Sequence, residues 1–171
     1  EKKNQAPLWA AVNDNRLQVV STDHCSFRFK DQKTLGLEAF TKIPNGGPGI
    51  ENRMQLTYHH GVNGGRISAE RFVEVTAEAP ARIFGMYPRK GVVAAGSDAD
   101  ILIWDPDAKY TITAATQSMH TDYSIFEGFE VKGNARQVFS RGELVVEGVK
   151  FLGRVGRGQY LHRGLGEVLA G

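Results

Sequence analysis

The sequence predicts an α/β fold, and three observations carry that expectation. Leu17, Val19 and Val20 form a short run of β-formers that ends among Ser21, Thr22, Asp23, His24 and Cys25. Met54, Tyr58 and Val62 recur every fourth residue, the apolar stripe of a helix. From Val92 onward the text changes to short β-rich runs divided by Gly, Asp and Pro. In an α/β barrel the loop after a strand's C-terminal end carries the active-site residues, and Asp23 stands at such a point.

At 171 residues the chain is long enough for a proper core. The net charge is +2, and Lys and Arg are scattered, so nucleic acid and anionic membrane are poor partners. No apolar run approaches the length of a membrane span. Cys25 is the only cysteine, which excludes an internal disulfide framework and suits a reducing, cytoplasmic setting. The opening EKKNQAPLWAAV has no initiator Met and reads as mid-chain text. The expectation is a cut through a larger polypeptide.

Taken in order, Pro7 followed by Leu8, Trp9, Ala10, Ala11 and Val12 suits a helix with proline in its first turn. At the end of the following strand, Asp23 can ligate a metal, accept a proton or cap the turn, and the residues alone favour the cap. Neighbours on an extended chain face opposite ways, so Asp23 and His24 do not grip one ion together. Cys25 reads as a small packed residue rather than a nucleophile. Arg28 to Thr34 reads as a solvated loop, with Phe27 and Phe29 placed to reach back over a pocket.

Lys42 to Glu51 crowds Pro44, Gly46, Gly47, Pro48 and Gly49 into a few positions, a loop that allows backbone to approach a ligand. It is not a phosphate loop, since no strand precedes it and no Gly-Lys-Ser/Thr closes it. Asn45 offers both donor and acceptor, and it either recognises an amide edge or satisfies the turn. A helix follows from Glu51 to the Asn63-Gly64-Gly65 stop. His59 and His60 on it point about 100° apart and are not expected to share a metal. Ser68 is a good N-cap, with Ile67 and Phe72 matching a hydrophobic staple. A further helical turn runs from Ala79-Pro80 to near Gly85.

In the second half, Val92-Val93, Ile101 to Trp104 and Tyr110 to Ile112 read as short strands, the second buried on both faces. Gln137 to Ser140 and Glu143 to Glu147 read as a hairpin about Arg141-Gly142. Asp98, Asp100, Asp105 and Asp107 lack the closing Glu and central Gly of a calcium loop, so they read as turn residues. The glycine- and arginine-spaced tail, Phe151 to Gly171, reads as an extended arm.

The segments STDHCSF, KIPNGGPGIENR, HHGVNGGRIS, GSDADILIWDP, DYSIFEGFEVKG and FSRGELVVEG together resemble the dihydropyrimidinase and D-hydantoinase family of cyclic amidohydrolases. The resemblance covers nearly the whole chain and only the C-terminal portion of the family. It implies the last part of a TIM-like (β/α)8 amidohydrolase barrel over 1–88, strands of a flanking small β-sandwich over 89–148, and an extended tail over 149–171. It also implies two divalent metals, usually zinc, bridged by a hydroxide and a carboxylated lysine. Asp23 matches the carboxylate that ligates one metal and shuttles the proton, and Asn45 matches the residue that hydrogen-bonds the substrate ring.

The other ligands of the family, a His-x-His pair, the lysine and two further histidines, have no counterpart here, so this segment alone is expected to be inactive. The implied reaction is hydrolysis of a dihydropyrimidine or hydantoin, a small cyclic ureide, to an N-carbamoyl amino acid, in a homo-oligomer, a tetramer. The collapsin response mediator proteins share the fold as non-catalytic interaction proteins. They tend to lack the carboxylate that Asp23 retains, which favours the enzyme. A free-standing β-rich module over Val92 to Gly148 would not need the Asp23 stretch.

Overall fold

A computed structural model describes residues 1–169; Ala170 and Gly171, the end of the expected arm, lie outside the described residues. The first half is helical. Helix α1 spans Gln5–Asn13, with Pro7 in its first turn as expected. A helical run opens as a 3-10 turn at Ile50–Asn52, continues as α2 (Arg53–Thr57) and ends in a π-helical turn at Tyr58–Asn63. A second run comprises α3 (Ala69–Val73), a π-helical turn at Glu74–Glu78 and α4 (Ala79–Ile83). Its start is fixed locally, for the Ser68 hydroxyl accepts the Arg71 N–H at 3.1 Å.

These helices meet over a core of Val12, Ile67, Phe72 and Val75, with Trp9, Met54, Tyr58 and Val62 packed against it. The Met54, Tyr58 and Val62 stripe therefore faces inward, as its spacing predicts. Arg71, only 7% exposed, ties the layer together. Its Nε donates to the Val12 carbonyl at 2.7 Å and its Nη2 to the Leu17 carbonyl at 3.0 Å, while Glu74 pairs with its charge at 2.8 Å. A buried guanidinium is tolerated only with its donors satisfied and its charge balanced.

The Leu17–Val20 run is not a strand, which corrects the expectation. The backbone groups of Val20 are taken by helices: its N–H donates to the Val75 carbonyl at 3.1 Å, and Arg53 Nη1 donates to its carbonyl at 2.9 Å. With those groups engaged, Val20 has none left to pair in a ladder.

The second half is a four-stranded antiparallel meander in the order β1-β2-β3-β4, spanning Ile101–Thr111, Glu130–Ser140, Glu143–Glu147 and Lys150–Phe151. The β2–β3 hairpin forms where the sequence places it. Arg141 and Gly142 have φ of 51° and 79°, the paired positive angles that match the twist of a two-residue hairpin turn. Ile101 to Trp104 and Tyr110-Thr111 join into the single strand β1, whose register shifts after Ile103 and after Asp105. The expectation that Ile101 to Trp104 is buried on both faces is corrected. Strand β1 lies at the sheet edge, with Leu102 and Ile103 exposed. Val92-Val93 forms no strand.

Trp104 joins the layers, its ring 5.1 Å from Tyr58 and 5.7 Å from Phe72. The Asp residues act as turn and pairing groups. Lys90 bridges Asp98 and Asp100, Asp105 accepts the Asp107 and Ala108 N–H groups, and Asp107 pairs with Lys132. Beyond the hairpin the chain makes contacts back to the hairpin and to the helices. Arg157 donates to the Ser140 carbonyl at 2.6 Å, the Gly164 N–H to the Gly85 carbonyl at 2.8 Å, and Arg82 pairs with Glu167 at 2.9 Å. No helix among the described residues is long and apolar enough to cross a membrane.

Candidate functional site

The site is built from two loops and the segment that braces them. Asp23 ends the extended stretch with its side chain exposed and its backbone at φ 45°. Aspartate enters that left-handed region more readily than most side-chain-bearing residues. The next two residues anchor it. His24 Nδ1 accepts the Gly49 N–H at 3.2 Å, and the Cys25 N–H donates to the Gly47 carbonyl at 3.1 Å. The Asp23 turn thereby lies alongside the glycine-rich loop that presents Asn45, itself exposed.

Cys25 packs as a small residue should. Gly46 has φ 81°, and a Cβ added there would meet the Cys25 sulfur at 2.5 Å. Only glycine supplies both that backbone angle and that closeness.

The segment read as a solvated loop, Arg28 to Thr34, is exposed from Arg28 to Asp31 as expected, and it is also held in place as a brace. Its internal bonds run from the Lys33 N–H to the Arg28 carbonyl at 3.0 Å and from the Arg28 N–H to Gln32 Oε1 at 2.7 Å. Asp122 docks it from far along the chain, its carboxylate accepting the N–H groups of Phe29 at 2.7 Å and Lys30 at 2.9 Å. Those two backbone donors hold the Asp122 carboxyl below its usual range. Burial, then the Asp122 charge, pushes the Tyr123 phenol up, so it stays protonated. Phe29 and Tyr123 meet edge to face at 5.7 Å. A cleft of ≈ 490 Å³ opens here, lined by Phe29, Lys33, Ile43, Gly46, Tyr123 and Ile125 among others. Phe29 does reach over a pocket.

Sequence reading missed Lys33 and Asp122. Both act across loops, Asp122 from some ninety residues away, and no local pattern marks either.

His59 and His60 lie elsewhere. His59 Nδ1 accepts the Lys132 N–H at 3.0 Å, joining α2's run to β2, and the two rings contact each other at 4.8 Å. Burial lowers the His60 pKa below its ordinary value, with His59 and Arg66 adding to the effect. No group of three or more His, Cys, Asp or Glu side chains able to hold a metal ion occurs among the described residues. Asp23 fits one ligand position of a divalent ion, an accessible hard oxygen donor on a braced turn.

The comparisons with known proteins agree on one family. Residues 1–145 match the amidohydrolase family. The chain is 49% identical to a D-hydantoinase of Streptomyces coelicolor over 162 residues, covering 95% of this chain and 34% of that protein. The solved D-hydantoinase of a Bacillus sp. AR9 superposes with a TM-score of 0.95 at 50% identity, covering 98% of this chain and 37% of that one. The dihydropyrimidinase of Brevibacillus agri NCHU1002 superposes with a TM-score of 0.96 at 47% identity, covering 99% and 37%. The chain thus spans about a third of the length of the curated relatives it matches. A family match over most of the chain, alongside near-superposable relatives named as D-hydantoinase and dihydropyrimidinase, leaves one assignment: the chain belongs to the amidohydrolase family.

Proposed function

We propose that the whole protein carrying this sequence is a cyclic amidohydrolase that opens dihydropyrimidine or hydantoin rings to N-carbamoyl amino acids. One observation carries the reading: the Asp23 turn is pinned through Cys25 and His24 to the loop that presents Asn45, in a chain that superposes on hydantoinases. The segments that carry the proton-accepting carboxylate and the amide-recognising side chain of this reading are thus hydrogen-bonded to each other.

In this reading residues 1–88 are the last part of the TIM-like barrel, 89–148 contribute strands to the flanking β-sandwich, and 149–171 form the tail. Asp23 would ligate one of two divalent metal ions, zinc by family resemblance, whose other ligands, including a carboxylated lysine, would lie outside this segment. When bound, such metals would supply Lewis-acid activation of the scissile carbonyl and the attacking water. Asp23 takes the proton from that water and delivers it to the departing ring nitrogen. Asn45 meets the N–H and C=O of the ring edge with its amide, which aligns the carbonyl for attack. One carboxylate holds no pair of metals, so these 171 residues alone are inactive. The reading extends to a cytoplasmic homotetramer.

The test is ring opening of dihydrouracil and of hydantoin by the whole protein, before and after chelation. Turnover lost to chelator and restored by zinc supports the reading. Absence of turnover on both rings with zinc present overturns it.

A further inference from the structure

We propose that Lys33 is a positioning residue that sets the Asn45 loop for substrate recognition. The proposal rests on the reading of Asn45 as the ring-binding residue. Lys33 Nζ donates to the carbonyls of Pro44 and, at 2.5 Å, of Gly46, the residues on either side of Asn45. Its ammonium also lies 5.4 Å from the centre of the Phe27 ring, on the chain that leaves the Asp23 turn. An ammonium has three donors and no acceptor, and charge-assisted bonds to carbonyls are the stronger kind. Two of those donors clamp the peptide units flanking one exposed side chain.

The clamp has a rigid base. Lys33 sits in the brace that Asp122 docks through Phe29 and Lys30, so the force on the Asn45 loop is referred to a distant part of the fold. From the other side, Cys25 and His24 hold Gly47 and Gly49. Asn45 therefore projects from a loop held on both flanks, with Lys33 bonding the carbonyls on either side of it. Without the ammonium, the Pro44 and Gly46 carbonyls turn to water, and Gly46 regains its backbone freedom. The Asn45 amide is then no longer held in register with the ring edge.

The experiment measures KM and kcat on dihydrouracil, with metal content per chain, for the whole protein and its Lys33→Met, Lys33→Arg, Asn45→Ala and double Lys33→Met/Asn45→Ala variants. Lys33→Met is expected to raise KM about tenfold with a smaller change in kcat and unchanged metal content. Lys33→Arg should recover part of the loss, and the double variant should bind no worse than Asn45→Ala. The proposal is overturned if Lys33→Met stays within about twofold of wild type, or adds its full effect on top of Asn45→Ala. A normal KM for Asn45→Ala would instead sink the reading of Asn45 itself. Should Lys33→Met not fold, amide exchange of residues 45–47 in Lys33→Gln decides: faster exchange supports the clamp, and unchanged exchange overturns it.

Discussion

The Cys25 N–H donates to the Gly47 carbonyl at 3.1 Å, and this bond joins the two parts of the site. It places the turn carrying Asp23 beside the loop carrying Asn45, with Gly46 pressed against the cysteine sulfur.

Gly46→Ala should damage the site more than the fold. The positive φ costs about 1–2 kcal/mol for an L residue, and the new methyl enters the Cys25 sulfur. In the whole protein KM for a cyclic ureide should rise while the thermal midpoint moves by only a few degrees. An unchanged KM would show that the junction does not govern recognition.

Arg71→Met should weaken the helical layer strongly. It strands the Val12 and Leu17 carbonyls and leaves Glu74 without its partner. A loss of about 2–4 kcal/mol is expected, since unmade bonds to a buried charged group are costly. Urea unfolding measures it, and a midpoint equal to wild type would refute the tethering role.

The brace should loosen in acid. The Asp122 pKa is depressed in the folded protein by the Phe29 and Lys30 N–H groups. The stabilisation is therefore fully present above the ordinary carboxylate pKa and disappears as pH falls through the lowered folded value. Limited proteolysis of residues 28–34 should accelerate as pH drops below about 4. Asp122→Asn should cleave readily at all pH values, and an acid response surviving that change would point to another group.

What could be read in the sequence was what is fixed locally. Ser68 caps its helix and Arg141-Gly142 turns its hairpin because each needs only neighbouring residues. The Met54, Tyr58 and Val62 stripe faced the core because spacing alone decides it. Leu17–Val20 misled, because its β-formers say nothing of whether another strand is there to pair, and Val75 and Arg53 take its polar groups instead. Ile101 to Trp104 misled in the same way, since hydrophobicity does not tell an edge strand from a central one. In the site, Asp23 and Asn45 stood out by residue type, setting and resemblance. Lys33 and Asp122 did not, because charges in a polar loop look solvated until a distant partner is brought to them.

The most direct test of the whole account is Asp23→Asn in the complete protein, assayed for dihydrouracil ring opening alongside bound metal per chain. Asp23 is exposed, so the fold should be intact by circular dichroism. Loss of kcat/KM by about a thousandfold, the scale of a lost proton-transfer group, is expected, with reduced metal content. Turnover within about tenfold of wild type, with metal retained, would contradict it.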